Sequence, residues 1–272
     1  MLPALPRIRD YAEALIRATT LDGKLAAPPA PVELEDPLPP LVLTSPGRPP
    51  ELAIAPGRSV RVPPVAGMRD PEQRARILHA LANHELQAIE LFAWALLAFP
   101  DAPAPFRTGL LAILREEQRH CGLYLERLRA HGVAFGSQPV TGHFWGKLDQ
   151  LGTPLAFVCA MGLTFENANL DFCQDYATAA RAAGDHATAA VLDQVHDDEL
   201  GHVRFAVTWL GKLAPGRPAL EVYLETVRFP LGLARARGKD FDADARRRAG
   251  LDEDFIAQLA AVAPTRPGGG PR

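Results

Sequence analysis

The sequence predicts an all-α protein: a four-helix bundle with a long crossover between its second and third helices. Three observations predict it. Apolar residues recur every three to four positions over long stretches, the period of a helix with one buried face. No stretch alternates apolar and polar residues as a half-buried strand would. Four such runs are separated by a short, a long and a short connection, the spacing of an antiparallel bundle with one crossover.

Each element has a local reason. Residues 8–20 read as a short amphipathic helix. Twelve of the 26 prolines then fall between residues 26 and 66. Proline lacks the amide donor and fixes φ, so this stretch is expected to be an extended arm. Its apolar residues Leu38, Leu41, Val42, Leu43, Ile54 and Val60 are expected to hold it on the protein surface. Asp70 is an N-cap, Pro71 suits a first helical turn and Gln73 completes a capping box. That helix should run to about residue 99, where Pro100, Pro103 and Pro105 stop it. A second spans about 106–130 and ends at Gly132. Residues 133–153 form the crossover. A third helix covers about 154–183 and ends at Gly184, and Asp185 caps a fourth that reaches about 213. Shorter helices follow, and residues 264–272 read as a frayed tail. The expected division is an arm (1–69), a bundle (70–213) and a C-terminal helical extension of the same domain (214–272).

The chain has 272 residues, of which 47% are hydrophobic, enough for a sizeable core. A formal net charge of −3 argues against a dedicated binder of nucleic acid or anionic membrane. Cys121, Cys159 and Cys173 lie inside apolar helical patterns with no CxxC pair, and read as reduced thiols of a cytoplasmic protein. The N-terminus carries Arg7, Arg9 and Asp10 and no long apolar run, unlike a signal peptide. No segment approaches the ~18 unbroken apolar residues of a membrane span.

Two stretches carry chemistry. "HDDELGHVRF" places Glu199 and His202 on the helix stripe of Leu192, Val195, Val203, Ala206 and Leu210. "EEQRH" places Glu117 and His120 on the stripe of Leu110, Ile113, Leu114, Cys121, Tyr124 and Leu128. Chance placement would give fewer than one Glu-x-x-His pair, and these two fall one each on the second and fourth long helices. A buried carboxylate beside a buried imidazole is costly unless something compensates both, and a metal ion does so. Dimetal carboxylate bundles need a Glu-x-x-His on each of two helices and a lone Glu on each of the others. The first helix offers Glu85 among Leu78, Leu81, Ala82, Ala88, Ile89, Phe92 and Leu96. The third offers Glu166 among Cys159, Leu163, Asn169, Leu170 and Cys173. Thirty-two residues separate Glu85 from Glu117, and thirty-three separate Glu166 from Glu199. An acid follows five residues after each lone Glu, Glu90 and Asp171. The halves therefore read as two copies of one helix hairpin.

Four carboxylates and two imidazoles suit two iron ions, or iron with manganese. Glu116 and Asp198 precede the two ligand glutamates. Ligand imidazoles often give their second N–H to a carboxylate, which suggests Asp198 for His120 and Glu116 for His202; surface acids are the alternative. His196 reads as second to the site or as a core-edge histidine, and Asn83 and His84 as packing or site residues. Tyr124 reads first as a core tyrosine and second as a redox-active one.

The stretches "NHELQAIELFAWALLAFPDAP", "EEQRHCGLYLERL", "HFW", "TFENANLDF", "DDELGHVRF" and "FPLGLARARG" carry a resemblance. The sequence resembles the ferritin-like superfamily and, more closely, the bacterial family catalogued as domain of unknown function 455. The resemblance covers about residues 70–250. It implies a ferritin-like bundle with metal at Glu85, Glu117, His120, Glu166, Glu199 and His202, and it implies no substrate.

The expected function is an O₂-dependent oxidase or oxygenase of a small organic molecule, served by an external electron donor. Long segments outside the bundle favour this, because a minimal ferritin needs none. A monomer or small homo-oligomer is expected. An iron-handling ferroxidase or storage protein is the second reading, and an RNA-modifying hydroxylase the third. Arg235, Arg237, Lys239 and Arg246–Arg248 form a basic segment for the latter, but acids interleave it and it reads first as a solvated face.

Overall fold

The carboxylate of Asp70 accepts the Gln73 amide at 2.9 Å, and Pro71 opens a 28-residue helix behind it. In this computed structural model, which describes residues 5–55 and 60–264, that helix is α3 (Pro71–Ala98), preceded by α1 (Ile8–Arg17) and α2 (Leu21–Leu25). α4 (Ala104–Ala130) follows a turn rich in proline. α5 (Pro154–Phe157), a π-helical stretch (Val158–Glu166) and α6 (Asn167–Ala182) run on without a break. The sequence is read as one ordinary α-helix there, so the nine π-helical residues are a correction. α7 (His186–Leu213), α8 (Ala219–Thr226), α9 (Ala243–Ala249) and α10 (Glu253–Ala261) complete the chain.

Among the described residues there is no strand, only isolated bridges joining Arg7 to Glu33 and Ile54 to Val140. None of their helices is long and apolar enough to cross a membrane. The stops fall where expected. Gly132 and Gly184 take φ of 69° and 78°, the left-handed turn that closes a helix and suits glycine. Asp185 caps α7 by accepting the Thr188 amide at 3.0 Å. The expected fraying lies, apart from Pro264, outside the described residues.

The chain divides into two compact units. The first comprises residues 1–61 and 75–149. Here α3 and α4 run antiparallel. Near their turn Arg107 donates to the carbonyls of Leu96 and Phe99 at 2.9 and 2.8 Å; further along, Cys121 Sγ lies 3.7 Å from the Ala82 carbonyl. The Pro-rich arm lies on this pair, and the apolar residues expected to hold it divide: Leu41, Leu43 and Val60 are half-buried, and the others are exposed. Leu38 and Val42 are 42% and 58% exposed. An extended Pro-rich backbone has few partners of its own, and groups of α3 and α4 supply them. Trp94 Nε1 donates to the Leu43 carbonyl at 2.9 Å and Arg107 to that of Leu34 at 2.9 Å. The Leu41 amide donates to Leu97 at 3.0 Å.

The second unit comprises residues 62–74 and 150–272. α6 and α7 run antiparallel: Arg181 pairs with Asp193 near the turn, and Asn169 donates to Glu199 at 3.0 Å further along. A 3-10 turn (Val65–Arg69) packs on α6, and α8 and α9 pack on α7.

Candidate metal centre

α3 buries its stripe from Leu78 to Leu96, and Glu85 sits in the middle of it, 3% exposed. The antiparallel register brings α4 past this point with Glu117 and His120, both fully buried. His120 Nδ1 lies 3.8 Å from Glu85 Oε2 and 3.6 Å from Glu117 Oε2. One ligand atom from each of the three lies within 4.8 Å of the others. These separations exceed a good hydrogen bond. Donor atoms about 2.1 Å from one ion sit roughly 3–4 Å from each other, so the spacing fits a shared cation. Burial, and then the neighbouring Glu117 charge, push the Glu85 carboxyl well above its usual range. Two buried carboxylates this close cannot both ionise without a compensating cation.

The second unit repeats the set. Glu166 ends the π-helical stretch and is 3% exposed; Glu199 and His202 on α7 are 0% and 1% exposed. One ligand atom from each lies within 4.8 Å of the others. His202 Nδ1 is 3.1 Å from Glu199 Oε2, while Glu199 Oε1 accepts from Asn169. Asn169 thus fixes the orientation of this carboxylate, a role the sequence did not assign.

A family model described as "Protein of unknown function (DUF455)" matches residues 8–257. The chain belongs to the DUF455 family. No curated protein and no solved structure matches it. The match reaches from α1 into α10, so this DUF455 chain includes its arm and its C-terminal helices within the family unit.

The other candidates sort by burial and contact. Glu116 and Asp198 are each half-buried. Tyr124 is fully buried on α4. Asn83 accepts Arg48 Nη1 at 2.9 Å and donates to the Thr141 carbonyl at 3.0 Å, and His84 stacks on Phe144 at 5.4 Å. His196 lies at the core edge, 3.4 Å from Gln174 and from Asp197. None of the cysteines is in a disulfide. Burial, and then the Glu85 and Glu117 charges, push the Cys121 thiol above its usual range.

Glu90 and Asp171 turn out to be fully buried anchors for the flanking segments. Glu90 receives Lys24 at 3.0 Å, Arg48 at 2.7 Å and Trp145 Nε1 at 2.8 Å. Asp171 receives both terminal nitrogens of Arg246, one at 2.9 Å, and the amides of Gly238 and Asp242 at 2.8 and 2.9 Å. Arg246 of the expected basic segment is therefore a core residue, not a solvated one.

Proposed function

We propose that the two triads are the halves of one dimetal carboxylate centre in a ferritin-like four-helix bundle. On this reading the protein is an O₂-dependent oxidase or oxygenase of a small organic substrate. The observation that carries it is the repetition: each hairpin buries one lone Glu against one Glu-x-x-His, with ligand atoms within 4.8 Å. A single buried acid is often a satisfied core residue. Two identical triads, each with more anionic character than its imidazole offsets, call for cations.

Four carboxylates nearly neutralise two divalent ions, which makes their burial tolerable. The donor set is mostly hard oxygen with imidazole, which suits iron, or iron with manganese, over softer thiolate-seeking ions. Iron, when bound, would supply the redox chemistry that activates O₂. The chain's own residues do the rest. Glu85, Glu117, Glu166 and Glu199 hold charge, and His120 and His202 bind as neutral rings. Asn169 orients Glu199. Glu116 and Asp198, each half-buried and next to a ligand glutamate, are the carboxylates that would take the second N–H of a ligand imidazole and raise its basicity. The apolar stripes on either side of each triad exclude water. An external donor supplies electrons.

Apoprotein loaded anaerobically with ferrous iron and then exposed to O₂ tests this. The expected result is a new absorption band and O₂ uptake in proportion to protein, both lost in Glu117→Ala. Ferrous protein that consumes no O₂ contradicts the oxidase reading.

A further inference from the structure

We infer that Gly162 is a positioning residue: the absence of a side chain there sets the separation of the π-helical stretch from α7 and so lets Glu166 and His202 share one ion. The inference rests on the dimetal reading. Gly162 stands four residues before Glu166, and Ala206 four residues after His202, so each is one turn from a ligand. A methyl group on Gly162 would lie 2.2 Å from Ala206 Cβ, 3.6 Å from its Cα and 3.7 Å from the His202 carbonyl oxygen. Ala206 is 1% exposed and has no rotamer that could yield. Gly162 is not among the glycines with positive φ, so space, not backbone freedom, demands a glycine.

Ordinary contact begins at 3.4 Å, so an added methyl forces the two elements apart by at least about 1 Å in a close-packed interior. Metal–ligand distances hold to about 0.2 Å. The π-helical stretch cannot simply retreat. Thr164 Oγ1 is tied to the Cys159 carbonyl at 2.9 Å and to Tyr223 Oη of α8 at 2.8 Å, and the Asn167 amide reaches back five residues to the Gly162 carbonyl. A displacement at Gly162 therefore falls on the gap between Glu166 and His202.

The test is an equilibrium titration of the full-length apoprotein with Co²⁺, read by its visible absorption, on the parent, Gly162→Ala and Gly162→Ala/Ala206→Gly. Gly162→Ala should weaken Co²⁺ binding about 10- to 100-fold and change the ligand-field spectrum. The double variant restores the clearance and should return affinity and spectrum to those of the parent. Parent-like binding in Gly162→Ala overturns the inference and leaves the dimetal reading standing. If Gly162→Ala does not fold, the double variant decides: parent-like binding supports the inference, and impaired binding or failure to fold overturns it. A parent that binds no Co²⁺ removes the dimetal reading, and the inference with it.

Discussion

His79 accepts the Gly136 amide on Nε2 at 2.9 Å and packs against Phe135 with ring centroids 5.0 Å apart. Only a neutral ring can accept there, and burial lowers its pKa from 6.5 to about 4. The unfolded chain takes up this proton near pH 6.5 and the folded chain only near 4. Between those values the unfolded state binds more protons, so stability falls as pH drops through that window. Chemical denaturation at pH 4.5 and pH 7 should show a smaller loss in His79→Gln, which can still accept through its amide oxygen, than in the parent. Equal losses would mean that His79 does not govern the acid limb. The ligand residues were legible in the sequence because Glu-x-x-His on an otherwise apolar stripe is a local pattern. Asn169 was not, since its partner Glu199 lies thirty residues away and an Asn on a helix has no distinctive spacing.

At the scale of elements, helix starts and stops were read from Asp70, Asp185, Gly132 and Gly184, whose chemistry acts within a turn. The π-helical stretch left no such mark. Its nine residues, VCAMGLTFE, are all buried, so no amphipathic period distinguishes one helical pitch from another. The attachment of the flanking segments is not legible in the sequence for a different reason. It includes pairs distant in sequence, Arg48 with Glu90 and Arg246 with Asp171, which no local pattern marks. Arg246 and Asp171 are both 0% exposed at the side chain. Removing one partner of such a pair strands a buried charge and costs about 3–5 kcal/mol. Arg246→Leu should therefore lower the free energy of urea unfolding by about 3–5 kcal/mol and shift the midpoint down accordingly, and adding Asp171→Asn should recover part of it. A parent-like midpoint in Arg246→Leu would make the pair incidental to stability.

Over the whole molecule, two compact units each present the same three buried side chains, and the all-helical class was readable because every long run shares the helical period. The triads account for acids and imidazoles that burial would otherwise penalise, and that account stands or falls on metal. The most direct measurement is the metal content of the full-length chain after anaerobic loading with ferrous iron and removal of unbound ion, for the parent and for Glu117→Ala/Glu199→Ala. The account predicts about two ions per chain in the parent and close to none in the double variant. An undiminished content in the double variant, or a folded parent that retains no metal, would contradict it.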